Sequence, residues 1–449
     1  MAEIVEKRSV DRVPVSERTT GFWAMFMLWA GFSISVARLW QGGLITGAGF
    51  IQAVIALIIA QIFWVYIAIG AVMGASEGLP GTMILRAAFG IRGRIIPSIP
   101  LIIGTIGWFG LQLGITVSAL NKIIVKLYGG WNMPDTLQYA VWGFLMGIAS
   151  IYGYRVVMWF QKFVSPLLLL LIPWMLYRLF THYDVLAELT KPRATTMNIF
   201  EAITILSGGV LAMLITAADS SRYAKTRKTA FNSFMAATWF IGTVMFVIGM
   251  MGAVIVGDAD PANIVDRLGL GFTGLVIVLL SAWSTNCLNP YWGGIALSTL
   301  TTGNKVYPHG MPRALATSLI VIIGTITTMM GIYSYGGIKT FVNILAGTLG
   351  PANGIIIADY FFLRGRGMNK LNPVDLVTAN GPYWYLKGWN PVAIAVWVVG
   401  IVYSTIFKSN YYLITPVSTQ ILSGVLYYTL MKTAGRRYYD MSRRKTASA

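Results

Sequence analysis

The sequence has few charged residues. Asp, Glu, Lys and Arg make up 11% of its 449 positions, while 56% are hydrophobic. A soluble protein of this length usually carries about 25% charged residues. The shortage leaves too little polar surface for a soluble fold, so we predict an integral membrane protein whose first partner is the lipid bilayer.

Cysteine and histidine are also scarce. Cys287 is the single cysteine, and the two histidines, His182 and His309, lie far apart in sequence. These numbers exclude a disulfide framework and argue against a cysteine or histidine metal centre. The sequence also lacks the GxxxxGK[ST], HExxH and CxxC motifs. We therefore predict no catalytic residue, no cofactor and no enzyme activity.

Long apolar segments dominate the chain instead. A helix needs about 20 apolar residues to cross the hydrocarbon core of a bilayer. Twelve segments meet this condition approximately, which predicts an all-α polytopic membrane protein with twelve transmembrane helices. They lie near residues 22–44, 50–73, 96–127, 137–153, 160–180, 198–218, 231–256, 269–300, 314–332, 338–362, 391–407 and 412–431.

The net charge of +18 has a topological explanation. With the N-terminus inside, about 25 of the 34 Lys and Arg residues fall in predicted cytoplasmic segments such as RAAFGIRGR, SSRYAKTRK and LRGRGMNK. This distribution fits the positive-inside rule and removes any need for nucleic-acid binding. We predict a protein of the plasma or bacterial inner membrane with both termini cytoplasmic and no obligate protein partner.

Two apolar segments contain small and polar residues at mid-span. The first reads LWAGFSISVARLW and the sixth reads ITILSGGVLAML. Broken helices five segments apart are typical of transporters built from two inverted five-helix repeats, where the break lines a central cavity. The alternative is that the small residues serve close helix packing.

The stretch GTIGWFGLQ in the third segment combines a stacking surface with a hydrogen-bonding amide. Gln112 follows Trp108 by four residues, so both lie on one helix face. An indole can stack on a flat ring, and a carboxamide both donates and accepts hydrogen bonds. The pair fits a planar heterocycle; a packing tryptophan with a glutamine that bonds a neighbouring helix is the alternative.

The eighth segment carries a hydroxyl cluster in SAWSTNCLNPYW. Ser281, Ser284 and Thr285 occupy positions i, i+3 and i+4, which share one helix face. Hydroxyl and carbonyl oxygens suit an alkali cation, while the missing carboxylates argue against Ca²⁺ or Mg²⁺. A polar stripe that bonds neighbouring helices is the alternative.

Three charged residues are candidates for a gate or an additional contact. Arg38 lies within the first segment, where a charge is costly unless it has a function. We expect it to snorkel to the outer interface or to contact an extracellular gate rather than to bind substrate. Asp219 ends the sixth segment, and Asp359 ends the tenth. We expect both to pair with basic residues at the cytoplasmic mouth, with gating or proton relay as the alternative.

The motifs GIRGR, IGWFG, TAADSSRYAK, WSTN and GIIIADYFFLRGR occur in this order and resemble the nucleobase:cation symporter-1 family. The resemblance extends from about residue 15 to about residue 435. It implies the LeuT-type 5+5 inverted-repeat fold plus two C-terminal helices. It also implies alternating access, usually driven by Na⁺ and in some members by H⁺.

The resemblance also assigns site residues. The implied substrate contacts are Trp108, Gln112, Gly209, Val210, Asn286 and Asn289. Ser35, at mid-span of the first broken segment, is a further predicted contact. The implied Na⁺ ligands are Gly31, Ile34, Ser281, Ser284 and Thr285. Val210 departs from the family, whose members often carry an aromatic residue there.

The sequence therefore predicts a symporter that imports a planar nucleobase or a related heterocycle of the cytosine, uracil, purine, hydantoin or allantoin class, coupled to Na⁺. The alternatives are H⁺ coupling, or the same fold carrying an amino acid or a cofactor precursor such as a thiamine-related pyrimidine. The predicted organisation is an N-terminal arm (1–20), a transport core of ten helices (21–364), a cytoplasmic loop (365–390), helices 11 and 12 (391–431) and a basic tail (432–449).

Overall fold

A computed structural model describes residues 11–130, 133–191, 194–303, 306–331, 335–365, 367–407 and 414–435. The first half of the predicted N-terminal arm and most of the basic tail lie outside the described residues.

The described residues form nineteen α-helices. Two π-helical stretches are continuous with them: Met235–Ile241 joins α11 to α12, and Ala358–Leu363 extends α17. The helices are α1 Phe22–Ser33, α2 Val36–Ile45, α3 Phe50–Glu77, α4 Gly81–Phe89, α5 Ile95–Tyr128, α6 Asp135–Tyr152, α7 Tyr154–His182, α8 Val185–Thr190, α9 Ile199–Gly208, α10 Met213–Ser221, α11 Arg227–Phe234, α12 Gly242–Val256, α13 Pro261–Arg267, α14 Gly271–Asn286, α15 Asn289–Thr301, α16 Arg313–Met329, α17 Tyr335–Ile357, α18 Pro391–Phe407 and α19 Thr415–Lys432.

Each predicted apolar segment coincides with one helix or with consecutive helices. Among the described residues, seven stretches are long and apolar enough to span a membrane, and the bent pair α1 and α2 is an eighth. The total of twelve spans remains a prediction. The short helices α4, α8 and α13 were not predicted, since none reaches ten residues.

The first predicted break lies between α1 and α2, which are bent by 50°. Ile34 and Ser35 leave helical geometry, with ψ angles of 75° and 134°. The Ser35 hydroxyl then accepts a hydrogen bond from the backbone N–H of Ala37 at 3.2 Å and caps α2. A serine after an apolar run thus restarts the helix in a new direction.

The second predicted break lies between α9 and α10, at residues 209–212. Glycines allow the two halves to pack closely against their neighbours. A Cβ on Gly208 would lie 2.8 Å from Cγ1 of Val342 in α17, and a Cβ on Gly70 of α3 would lie 2.8 Å from the carbonyl carbon of Leu214 in α10. Both halves of this broken helix are therefore packed closely against neighbouring helices.

The outward face of α3 illustrates how the bundle meets its surroundings. Ile51, Ile55, Ile58 and Ile62 are 42–74% exposed and follow one helix face. A continuous apolar stripe of this kind is unfavourable in water and is suited to lipid. The chain is therefore an integral membrane protein.

Candidate functional site

A cavity lies where the two helix breaks meet α5, α14 and α15. Ser35 and residues of α2 line one side, and Trp108 and Gln112 of α5 line another. Gly209 and Val210, in the second break, and Asn289 complete the predicted part of its wall. Six of the seven predicted substrate contacts thus surround one space, although they come from four distant parts of the chain.

Trp108 is half-buried and lies close to the second break. A Cβ on Gly209 would be 3.4 Å from Cζ2 of Trp108, and 2.8 Å from Nε2 of Gln41. Glycine therefore leaves room for the indole and for the Gln41 amide. The other neighbour of the indole is Phe341, whose ring centroid is 5.5 Å away in an edge-to-face arrangement.

Gln112 is almost completely buried, at 1% exposure. Its Nε2 donates a hydrogen bond to the Ser35 hydroxyl at 3.0 Å. Its Oε1 accepts no hydrogen bond from the described residues. A buried acceptor without a donor is costly, so a ligand N–H that reached this oxygen would be favoured.

Gln41 is a cavity residue that the sequence analysis did not single out. It lies on α2 and is 4% exposed. The sequence feature that could have identified it is a single amide inside the apolar run LWQGG. Because an amide both donates and accepts, Gln41 and Gln112 can together address a ring that has both kinds of group on its edge.

The two predicted asparagines have different positions. Asn289 lines the cavity, whereas Asn286 does not. The Nδ2 of Asn286 donates to the carbonyl of Phe109 at 3.0 Å, and its Oδ1 accepts from Asn289 at 3.1 Å. Asn286 therefore supports Asn289 and the contact between α14 and α5, and the direct substrate contact expected for it is not available in this arrangement.

The predicted cation ligands meet where α14 crosses the first break. The Ser281 hydroxyl donates to the Ile34 carbonyl at 2.6 Å, and the Thr285 hydroxyl donates to the Ser281 carbonyl at 3.1 Å. Ser284 is fully buried, and a Cβ on Gly31 would lie 2.8 Å from its hydroxyl oxygen. The five residues predicted to bind Na⁺ thus lie together.

The chemistry of this cluster favours an alkali cation. Its oxygens belong to hydroxyl and carbonyl groups, which carry no formal charge. The described residues contain no group of three or more His, Cys, Asp or Glu side chains that could hold a metal ion. Divalent cations normally require carboxylate ligands, whereas a neutral oxygen set suits a singly charged ion.

Arg38 does not snorkel to an interface, which was one of the two expected alternatives; its contact with an extracellular gate stays a prediction. It is 5% exposed and lines the cavity. Its Nη1 donates to the carbonyls of Ser33 and Thr238 at 3.4 and 3.3 Å, and its guanidinium carbon lies 5.8 and 5.6 Å from the ring centroids of Phe32 and Trp64. The long side chain turns inward because the Ser33 carbonyl at the end of α1, the Thr238 carbonyl in the π-helical stretch and the aromatic rings stabilise its charge.

Asp219 and Asp359 lie at the same end of the bundle. Asp219 is fully buried and accepts a hydrogen bond from the backbone N–H of Gly81, in the first turn of α4, at 2.9 Å. Asp359 pairs with Arg364, with 2.6 Å between Oδ2 and Nε, and accepts from the Tyr427 hydroxyl at 2.9 Å. The predicted ion pair of Asp359 is therefore present.

The N-terminal arm is bound at this same end. Arg18 is 4% exposed and donates to the carbonyl of Glu77 at 3.0 Å and to Oδ1 of Asn369 at 2.9 Å. Glu77 is the fully buried last residue of α3, and its carboxylate accepts from the Tyr360 hydroxyl at 2.7 Å. Burial lowers the pKa of Arg18 despite the favourable charge of Glu77.

Comparison with known proteins agrees with this architecture. A hydantoin permease from Microbacterium maritypicum is 29% identical over 415 residues, which cover 87% of this chain and 82% of that protein. A cytosine permease from Escherichia coli (strain K12) is 25% identical over 359 residues, covering 79% of this chain and 81% of that protein. These relatives are transport proteins, not enzymes.

Solved structures give the same fold. Mhp1, a nucleobase-cation-symport-1 family transporter in a closed conformation with bromovinylhydantoin bound, superimposes with a TM-score of 0.78 at 24% identity. The match covers 98% of this chain and all of Mhp1. The sequence profile for permeases of cytosine and purines, uracil, thiamine and allantoin matches residues 12–430. The chain therefore belongs to this permease family, the nucleobase:cation symporters.

Proposed function

We propose that the protein is a secondary active symporter that imports a planar nucleobase-like heterocycle by alternating access, coupled to Na⁺. The end of the bundle that carries Arg18 and Arg364 faces the cytoplasm of a plasma or bacterial inner membrane. The heterocycle binds in the cavity between the two breaks, and Na⁺ binds between α1 and α14.

The observation that supports this substrate class most directly is the free Oε1 of Gln112 beside Trp108. The acceptor is buried and has no donor among the described residues. A heterocycle stacked on the indole would bring a ring N–H to this oxygen, while Gln41 and Asn289 offer amides on other sides of the cavity. Nucleobases and hydantoins present this combination of a flat face and an N–H edge.

The proposed ligand set for Na⁺ consists of the Gly31, Ile34 and Ser281 carbonyls with the Ser284 and Thr285 hydroxyls. The neutral oxygens and their burial support this choice. A cation bound here would stabilise the bent connection between α1 and α2, whose next residue, Ser35, reaches the cavity. Cation and substrate would then increase each other's affinity by the same factor.

A binding panel on the purified protein tests the proposal. Cytosine, uracil, adenine, guanine, hypoxanthine, urate, allantoin and benzylhydantoin are added in NaCl or in choline chloride, and thermal unfolding is recorded. Amino acids and a thiamine-related pyrimidine are added in the same way as comparison ligands. We expect one base to raise the apparent Tm, and to raise it more in Na⁺. Stabilisation by an amino acid or a thiamine precursor alone would refute the substrate class.

Trp108→Ala tests the stacking role. A base stacked on an aromatic ring contributes about 1–3 kcal/mol, so we expect the Kd for the identified base to rise about 5- to 150-fold. Trp397→Ala is the matched control, because Trp397 is also half-buried but lies on α18, away from the cavity. Equal affinities in both variants would contradict stacking on Trp108.

A further inference from the structure

Gln161 is an amide buried inside α7 that contacts the proposed cation site from outside its predicted ligand set. The side chain has 0% exposure. Its Nε2 donates to the backbone carbonyl of Ser284 at 2.8 Å, and its Oε1 accepts from the hydroxyl of the same serine at 2.8 Å. One amide thus makes two hydrogen bonds to one residue of α14.

These two bonds determine the direction of the Ser284 hydroxyl. The Ser284 carbonyl can only accept, so the NH₂ group of Gln161 must face it. The amide oxygen then faces the hydroxyl, and the hydroxyl must donate its single proton to that oxygen. The remaining valence of Oγ consists of lone pairs, which is the state that a cation requires of a hydroxyl ligand.

The amide oxygen also lies against α1. A Cβ on Gly31 would come closer than 3.0 Å to Oε1 of Gln161, so only glycine permits this approach. Ser165, one turn further along α7, lies 3.1 Å from the same oxygen and donates to the Met27 carbonyl of α1 at 2.8 Å. Gln161 therefore lies at a junction of α1, α7 and α14.

We propose that Gln161 is a positioning residue of the cation site: it holds the Ser284 hydroxyl with its lone pairs available to Na⁺ and connects α7 to cation binding. The inference rests on the proposed Na⁺ coupling. This role depends on Oε1 of Gln161 as the hydrogen-bond acceptor for the Ser284 hydroxyl. A substituted side chain that keeps an acceptor at this position should therefore keep the role.

Sodium titration of the purified full-length protein tests the inference without any substrate. NaCl replaces choline chloride at constant ionic strength, and the Na⁺ concentration for half-maximal stabilisation is read from the thermal shift. We expect Gln161→Leu to raise this concentration about tenfold or more, because the Ser284 hydroxyl loses its acceptor and rotates freely. Gln138→Leu is the control, since Gln138 is equally buried but donates to the Met133 carbonyl, remote from the site.

Gln161→Glu separates positioning from packing. When protonated, its carboxyl group keeps an O–H donor for the Ser284 carbonyl and an acceptor for the Ser284 hydroxyl. When ionised, it loses the donor but adds a negative charge that attracts Na⁺, so in both states we expect half-saturation at or below the wild-type Na⁺ concentration. Gln161→Asn is one methylene shorter and cannot reach both atoms of Ser284, so we expect it to behave like the leucine variant. The Glu and Asn pair provides the test if Gln161→Leu fails to fold.

The outcomes distinguish this inference from the proposed function. Unchanged half-saturation in Gln161→Leu, or an equal increase in Gln161→Glu, would overturn the role of Gln161 while Na⁺ coupling stands. A wild-type protein that Na⁺ does not stabilise, with or without the identified base, would overturn both. The substrate class is tested separately by the base panel and would be unaffected by either result.

Discussion

Gly70→Ala tests how tightly α10 is held against α3. The new Cβ would lie within 3.0 Å of the Leu214 carbonyl group, with the carbonyl carbon at 2.8 Å, whereas ordinary contact begins at 3.4 Å. A backbone carbonyl cannot rotate away, so the two helices must separate. Overpacking costs about 1–3 kcal/mol, and the better helix propensity of alanine returns about 1 kcal/mol. We expect a net destabilisation of up to about 2 kcal/mol.

Gly104→Ala is the matched control for this prediction. Gly104 is also a buried helical glycine, but the nearest atom to its new Cβ is Cδ2 of Leu345 at 3.3 Å, the end of a side chain that can move. Here the propensity gain of about 1 kcal/mol remains, so stability should not fall. Thermal unfolding at one scan rate should place the apparent Tm of Gly70→Ala below that of wild type and that of Gly104→Ala at or above it. A Gly70→Ala protein as stable as Gly104→Ala would refute the close contact between α3 and α10.

Two further predictions concern the end of the bundle that binds the N-terminal arm. Lys370 donates to the Tyr360 carbonyl at 2.7 Å, and burial lowers its pKa to about 8. The unfolded chain therefore binds more protons between about pH 8 and 10.5, so stability should rise with pH in this window, and less so in Lys370→Met. Equal slopes of Tm against pH in wild type and in Lys370→Met would contradict this prediction. Tyr427→Phe removes the hydrogen bond to Asp359 and should lower the free energy of unfolding by about 1.5–3 kcal/mol. Tyr428→Phe is the control, because the Tyr428 hydroxyl bonds to no described residue, and it should be neutral in the same assay. Equal Tm values for the two variants would refute the hydrogen bond to Asp359.

The helices were predictable because the determinants are local. Span length follows from the bilayer thickness, and each break carries small or capping residues in its own sequence. Ser35 and Gly209 were identified in this way and lie at the cavity. The short helices were missed because their few residues carry no period long enough to recognise.

The parts that sequence reasoning missed depend on contacts between distant segments. Gln161 contacts Ser284, which is 123 positions away, and no local pattern specifies that partner. The direction of the Arg38 side chain depends on a carbonyl and rings from other helices, which its own segment does not specify. Asn286 and Asn289 differ in role because the turn between α14 and α15 directs only the second into the cavity.

The break between α1 and α2 connects the two proposed sites through one peptide group. On the cation side, the Ile34 carbonyl accepts a hydrogen bond from the Ser281 hydroxyl at 2.6 Å. On the substrate side, the hydroxyl of Ser35, the next residue, accepts a hydrogen bond from the Gln112 amide at 3.0 Å. In a continuous helix the Ile34 carbonyl would accept a backbone hydrogen bond within that helix. The break removes this backbone bond and turns Ser35 to the cavity. In the proposed mechanism, a cation that fixes the Ile34 carbonyl also fixes Ser35, so that ion and heterocycle act on the same bent backbone rather than through a long relay.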